Sequence, residues 1–315
     1  MEQRNLGISG LKVSLVGLGC NNFGPRIDLD QTQAVVDRAI DSGITLFDTA
    51  DGYGRGTSEE FLGKALGSRR REVVIATKFG FPMSDDGKLQ GASRRYIMNA
   101  VEMSLRRLNT DWIDLYQLHL PDPLTPIEET LRTLDDLVSQ GKVRYIGCSN
   151  LAPWQIVEAQ WTARSNHYAS FVSCQDEYSL ITRAIEKEKQ EVMQAYGLGL
   201  LPYYPLAAGI LTGKYKRNAP MPEGARLTNN EKAARRYMTE ANLLLAEKLE
   251  AFAMARGHTL VELAFSWLAS RPFVSSIIAG ATRPEQVEQN VTSASWNLSA
   301  EEIEEIAGIL DAAEG

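Results

Sequence analysis

Residues 142–204 read KVRYIGCSNLAPWQIVEAQWTARSNHYASFVSCQDEYSLITRAIEKEKQEVMQAYGLGLLPYY. Three short apolar runs stand out in this stretch: KVRYIGCS (142–149), SFVSCQ (170–175) and LGLLPYY (198–204). Each begins 28 residues after the one before, with an amphipathic stretch between. One strand, one helix and two short loops fill that length, which is the βαβ unit whose crossover gives a parallel sheet. The pattern continues outward. SLVGLG (14–19), ITLFDTA (44–50), EVVIATK (72–78), DLYQLHL (114–120) and VSSIIAG (274–280) have the same β-branched and aromatic character, making eight strands in all.

Helical periodicity predicts helices over 30–42, 57–67, 93–108, 126–139, 153–164, 184–196 and 284–292. Ser93, Thr125 and Asn150 suit capping positions, and Pro126 and Pro153 suit first turns. Two intervals are longer: 79–92 extends the third loop and 205–240 the seventh, with further helices over 240–256 and 258–271. RNLGISGLKV reads as a hairpin and SAEEIEEIAGILDAAE as a closing helix. Eight βα units in 315 residues predict an α/β fold, a (β/α)8 TIM barrel with an N-terminal hairpin and extra C-terminal helices, as one domain over 1–315. A dinucleotide-binding open sheet would need GxGxxG after the first strand, but Asn22 stands where the third glycine belongs.

Composition narrows the function classes. With 44% hydrophobic and 23% charged residues the chain has the make-up of a globular protein. No run reaches the roughly 18 apolar residues of a membrane span, and MEQRNLGISG has no apolar export segment, so a cytoplasmic address without a membrane partner is expected. The net charge of -7 removes the driving force for phosphate-backbone binding, so no nucleic-acid partner is expected. Cys20, Cys148 and Cys174 form no CxxC and are expected to be reduced thiols. His119, His167 and His258 offer no HxH or HExxH, so no metal site is expected.

In a parallel barrel the carboxyl ends of the strands converge on one mouth. Those ends carry Asp48, Lys78, His119, Ser149 with Asn150, Gln175, and Tyr203 with Tyr204. A lysine directly after VVIAT brings an ammonium to an apolar rim, where it needs a partner, and Asp48 one strand earlier can supply it. Tyr53 follows Asp48 by five residues.

The stretches GITLFDTADGYGRGTSEEFLGKAL, VVIATK, DLYQLH and YIGCSN resemble the aldo-keto reductase superfamily, in its bacterial, potassium-channel-β-like branch. The resemblance covers nearly the whole chain, with DTAxxYGxxxSEExLG, the strand-end lysine and the LxH in the family's order. It implies a catalytic tetrad of Asp48, Tyr53, Lys78 and His119 and an NADPH-dependent reduction of aldehydes or ketones to alcohols, reversible. The chemistry is coherent: hydride reaches carbon while an acid protonates the developing alkoxide. Tyr53 would be that acid, its pKa lowered by Lys78, with Asp48 holding Lys78 charged and a neutral His119 orienting the carbonyl.

The resemblance extends to the cofactor, NADPH/NADP+. Gly280, Thr282, Arg283, Gln286 and Asn290 match the family's adenosine-end GxxxxEQxxxN, and Arg283 implies preference for a 2′-phosphate. Ser149, Asn150 and Gln175 match the positions that hold the nicotinamide carboxamide, and Tyr203 the aromatic that stacks on its ring. YYPLAAGILTGKY (203–215) matches the family's pyrophosphate-wrapping segment, bringing in Leu206, Gly209, Leu211 and Lys214, with Arg226 beyond it; Tyr204 replaces the family's usual serine. The substrate cleft is expected to be walled by Asn21, Asn22, Phe23, Phe79, Phe81, Met83 and Leu120, the asparagines hinting at a polar, hydroxylated carbonyl compound. Two alternatives remain open from sequence: a Schiff-base lyase with Lys78 as nucleophile, and a regulatory subunit that holds NADPH and turns over slowly. The oligomeric state is not encoded legibly.

Overall fold

The computed structural model describes residues 1–314; Gly315, the last residue of the expected domain, lies outside the described residues. Strands β1 (Gln3–Asn5) and β2 (Lys12–Ser14) pair antiparallel as a hairpin. Then come β3 (Val16–Gly19), β4 (Leu46–Asp48), β5 (Val74–Phe79), β6 (Ile113–Leu118), β7 (Val143–Ser149), β8 (Phe171–Glu177), β9 (Gly199–Tyr203) and β10 (Ile277–Gly280). Neighbours pair parallel in sequence order and β10 returns to β3, so the sheet closes into a (β/α)8 barrel. Each of the eight apolar runs overlaps one barrel strand; β5, β6 and β8 extend one or two residues beyond the expected bounds.

Around the barrel run α1 (Leu29–Asp41), α2 (Thr57–Leu66), α3 (Arg94–Arg107), α4 (Ile127–Ser139), α5 (Pro153–Asn166), α6 (Lys189–Tyr196), α7 (Glu231–Tyr237), α8 (Glu240–Met254), α9 (Leu260–Ala269), α10 (Pro284–Ser293) and α11 (Ala300–Glu314). Ser93 caps α3 by accepting from the Tyr96 amide. Thr125 and Asn150 do not cap. The Thr125 hydroxyl donates to Asp122 instead, and Asn150 takes a left-handed conformation (φ 61°) that turns its amide toward the His119 carbonyl. Helix α7 was not anticipated inside 205–240; it is short and polar, and starts where Asn230 accepts from the Ala233 amide.

Alternation along each strand sorts the side chains. Leu46, Ala76, Leu115, Leu201 and Ile278 point inward and pack together with Leu6 and Val13 of the hairpin. The hairpin reaches the amino-terminal end of the barrel at Gly7, whose positive φ and close approach to the Gly197 carbonyl and Gly199 amide leave no room for a Cβ. Residues of opposite parity, such as Phe47, Ile75, Phe79, Tyr116 and Cys148, pack outward under the helices. With Leu6 and Val13 packed on the inner residues at the amino-terminal end, the cavity lies at the carboxyl ends of the strands. Among the described residues, no helix is long and apolar enough to cross a membrane.

Candidate active site

At the carboxyl end of the barrel lies a cavity of 460 Å³, in the range of small-molecule sites. On its floor β4 presents Asp48 and β5 presents Lys78, both on the inward parity. Lys78 Nζ donates to Asp48 Oδ2 at 2.7 Å and to the Thr49 carbonyl at 2.8 Å, and lies 3.4 Å from the Tyr53 hydroxyl. Asp48 Oδ1 accepts from Gln175 Nε2 at 2.7 Å and more distantly from Gln117. Tyr53 stands at the start of a tight turn in which Gly54, Arg55 and Gly56 all have positive φ, a strained path that lifts its ring over Lys78. The His119 ring meets Tyr53 edge-on, centroids 5.8 Å apart. The four tetrad residues named from sequence therefore meet around one point.

Electrostatics set their protonation. Burial alone pulls Lys78 toward its neutral form, but the Asp48 carboxylate and the Tyr53 oxygen outweigh it, and the ammonium is held above its ordinary pKa. His119 is driven down to about 3, first by burial and then by the Lys78 charge, so its imidazole is neutral. Its Nδ1 is buried without a hydrogen-bond partner among the described residues. Tyr53 departs from expectation: burial pushes the phenol above its ordinary value, Asp48 adds to this, and Lys78 offsets only part. The ammonium lowers the pKa as argued, but removal of the phenolate from water is the larger effect.

One wall of the cavity joins β7, β8 and β9. Ser149 Oγ donates to the Gln175 carbonyl at 2.8 Å, and Asn150 Nδ2 donates to the His119 carbonyl at 3.1 Å. The Tyr203 hydroxyl donates to Asn150 Oδ1 at 2.9 Å. Gln175 lies between this wall and the floor because its amide is engaged by Asp48. The other side is basic. Lys214 is depressed below its ordinary pKa by burial, then by Arg226 and Arg26 facing it. Arg226 donates to the Tyr204 hydroxyl and lies over the Tyr204 ring, 4.6 Å from its centroid. None of these three cations meets a carboxylate within 4 Å among the described residues, so the groove calls for a bound anion. Leu206 and Gly209 line it in a segment where Ala207, Ala208 and Gly209 all have positive φ. Gly280, Thr282, Gln286 and Asn290 line the far end, where Gln286 Oε1 accepts from the Thr282 amide.

Several residues named from sequence lie elsewhere. Phe79 is adjacent to Lys78 and so has the opposite parity; it is fully buried under the helices against Tyr116. Phe23 and Leu211 are likewise core residues, the first bent inward by the bridge between Phe23 and Ile27. Phe81, Met83 and Leu120 do not line the cavity either, although the Phe81 ring packs against that of His119, centroids 5.5 Å apart. Asn21 and Asn22 both line the cavity, beside Gly280, with the Asn22 amide donating to the Ala281 carbonyl. Arg283 stands at the start of α10 with its side chain 66% exposed beside Glu285, outside the cavity lining.

Arg26, Glu177 and Arg236 line the cavity and were not named from sequence. Glu177 has the same parity as Gln175 two residues earlier on β8, which is the signal that could have found it. Arg236 arrives on the unanticipated α7 and pairs with Glu177 at 2.5 Å. The cysteines are free thiols, with Cys148 and Cys174 Sγ 3.6 Å apart behind the wall. No cluster of three metal-ligating side chains occurs among the described residues.

A model of the Aldo/keto reductase family matches residues 15–311. The chain is 37% identical to a probable voltage-gated potassium channel subunit beta of Oryza sativa subsp. japonica, covering 92% of this chain and 90% of that protein. It is 34% identical to L-glyceraldehyde 3-phosphate reductase of Escherichia coli O157:H7 (97% and 91%) and 33% identical to versiconal hemiacetal acetate reductase of Aspergillus parasiticus (96% and 95%).

Proposed function

We propose that this chain, which belongs to the Aldo/keto reductase family, reduces aldehydes or ketones to alcohols with NADPH, using Tyr53 as general acid. The observation that carries the reading is the Tyr53 hydroxyl held 3.4 Å from a Lys78 ammonium that is itself fixed on Asp48, beside a neutral His119 on the floor of the cavity. Lys214, Arg226 and Arg26, which meet no carboxylate among the described residues, fit a pyrophosphate, and Gln286 and Asn290 line the place for the adenosine end, with Arg283 exposed beyond that lining. Arg283 favours the 2′-phosphate of NADPH by its position at the start of α10.

A reduced nicotinamide supplies the hydride when bound. The chain's own residues manage the proton. Because its pKa is raised, Tyr53 holds its hydroxyl proton at neutral pH and is ready to donate it to the alkoxide as the carbonyl is reduced. Lys78 stabilises the phenolate left behind, so it contributes most where negative charge develops. Asp48 keeps Lys78 charged, and Gln175 keeps Asp48 oriented. His119, as a neutral imidazole, orients the carbonyl by a single hydrogen bond and repels neither Lys78 nor substrate.

A lysine nucleophile for Schiff-base chemistry must be neutral. Lys78 is fully buried and held protonated by Asp48, which speaks against that alternative. A slow-turnover NADPH-holding role draws support from the potassium-channel subunit relatives. Replacing Tyr53 by Phe tests the reading: turnover of a carbonyl panel should fall by about 10²-fold or more while NADPH still binds. Unchanged turnover refutes the mechanism, and rapid multiple turnover by the parent protein excludes the slow-subunit reading.

A further inference from the structure

Behind the turn that carries Tyr53 is a second cluster of ionisable groups, sealed between the barrel and helices α2 and α3. Asp51 turns its side chain away from the cavity, to a position that is 1% exposed. Its Oδ2 accepts from the Tyr96 hydroxyl on α3 at 3.0 Å, while its Oδ1 has no partner among the described residues. From α2, Glu59 faces it, wholly buried. Glu59 is already satisfied: it accepts from Thr77 Oγ1 at 2.5 Å and from Arg107 Nε at 2.7 Å. Tyr116 of β6 closes the cluster, and its hydroxyl too is unpartnered. The chamber thus contains two carboxyl groups, two phenols and one cation, and that cation is engaged by Glu59.

Main-chain bonds tie this cluster to the reacting end. The Asp51 amide donates to the Lys78 carbonyl at 3.2 Å, and the Tyr53 amide donates to the Ala50 carbonyl at 3.2 Å. Gly52 between them is packed against Phe81, so closely that a Cβ there would lie 3.0 Å from the ring. The three residues from Asp51 to Tyr53 therefore form a short stiff arm, anchored at one end by the Asp51 carboxyl.

We propose that Asp51 is a positioning residue for the Tyr53 hydroxyl, holding the turn in place while it carries a proton and loosening it on ionisation. This rests on the reading of Tyr53 as the proton donor. The protonated carboxyl carries no charge to be desolvated and accepts from Tyr96 at Oδ2. The carboxylate draws support from Tyr96 and the Gly52 amide, but its Oδ1 makes no hydrogen bond among the described residues and it faces a second buried carboxylate that has already taken the local arginine. Burial and then Glu59 push the Asp51 carboxyl up to about 7, with Tyr96, the Gly52 amide and Arg107 opposing. Since the folded value is raised, the stability its proton contributes is complete below about pH 4 and is lost as pH rises through about 7. The readiest relief for the charge is displacement of the turn toward water, which carries Tyr53 away from Lys78. His119, at about 3, and Tyr53 and Lys78, both raised above their alkaline values, do not titrate in that window.

The test uses the full chain and two readouts. Amide hydrogen exchange over residues 49–56, corrected for intrinsic rate, should lose about tenfold in protection between pH 6 and pH 8.5 in the parent protein and none in Asp51→Asn. With saturating NADPH and 4-nitrobenzaldehyde, kcat should fall with an apparent ionisation near neutrality that Asp51→Asn removes without changing NADPH affinity. Tyr96→Phe, by deleting the donor that favours the carboxylate, should move that ionisation to higher pH. Protection that is the same at both pH values in the parent, or an ionisation in kcat that persists in Asp51→Asn, overturns the proposal. Absence of turnover at every pH would instead overturn the reductase reading, with the exchange measurement still deciding the role of Asp51.

Discussion

Replacing Asp48 by Asn should invert the response of the fold to alkaline pH. In the parent protein Lys78 Nζ lies 2.7 Å from Asp48 Oδ2, with the lysine side chain 0% and the aspartate side chain 3% exposed. Asparagine keeps the shape and can still accept from Gln175, but it removes the only carboxylate bonded to the ammonium. Breaking one side of a buried ion pair costs about 3–5 kcal/mol, because the remaining charge is left uncompensated. Lys78 then retains only the Thr49 carbonyl and the Tyr53 hydroxyl, and its pKa falls below the ordinary value of about 10.4. The sign follows from linkage. In the parent the folded value is raised, so the contribution of Lys78 is intact up to about pH 10 and gives no slope between pH 7 and 9. In the variant the folded value is depressed, the unfolded chain binds more protons, and stability rises with pH across that range. Urea unfolding of both proteins at pH 7, 8 and 9 measures the gap, which should be about 3–5 kcal/mol at pH 7 and narrow upward. A variant within about 1 kcal/mol of the parent at pH 7, with a parallel pH profile, would show that the pair contributes no more than a surface bridge and would refute the argument.

Removing Lys214 by an alanine substitution should weaken NADPH binding by about tenfold or more, the worth of a charge-assisted phosphate contact of roughly 1.5–3 kcal/mol, and should flatten the salt dependence of the affinity. Titration by cofactor fluorescence measures both, and an unchanged Kd with an unchanged salt slope would mean that the anion lies elsewhere. Replacing Gly63 of α2 by Ala should destabilise the fold although alanine is worth about 1 kcal/mol more than glycine in a helix. Its Cβ would fall 2.7 Å from the Arg107 carbonyl oxygen and from the Leu108 main chain, atoms that cannot step aside. Overpacking of that kind costs about 1–3 kcal/mol and occasionally more, so the urea midpoint should drop; a rise would show that the end of α3 yields freely.

What was readable in the sequence follows from which interactions are local. A strand of this barrel is a mostly apolar run of four to seven residues, apart from the three-residue β4, and a helix must follow to return the chain; both requirements are written in neighbouring residues. That is why the recurrence at 142, 170 and 198 located β7, β8 and β9. The meeting of Asp48, Lys78 and His119 was legible for a related reason: an ionisable residue ending an apolar run can be satisfied at a shared mouth, whereas Tyr53, which ends no strand, was named through the family resemblance. Parity was less legible. Lys78 and Phe79 both end β5, and which one faces the interior depends on the pairing of β5 with β4 and β6, a property of the closed sheet. Asp48 pairs in register with Ala76, not with Lys78, so the ion pair is a diagonal within one inward layer, and Phe79 is consigned to the outer core.

The cavity's basic side and the pKa of Tyr53 needed the third dimension in a stronger sense. Arg26 is distant in sequence from Lys214 and Arg226, and its repulsion of Lys214 exists only because the loop after β3 faces the segment after β9. For Tyr53 the sequence supplies the neighbours, Asp48 and Lys78, but not the depth of the turn, and depth decides the direction of the shift. A phenol that an ammonium alone would acidify is instead held protonated. The same burial that raises Tyr53 raises Asp51 two residues earlier, on the other side of the same turn. A carboxyl starts at about 4 and a phenol at about 10, so the same direction of shift brings Asp51 to about 7 and carries Tyr53 further from neutrality.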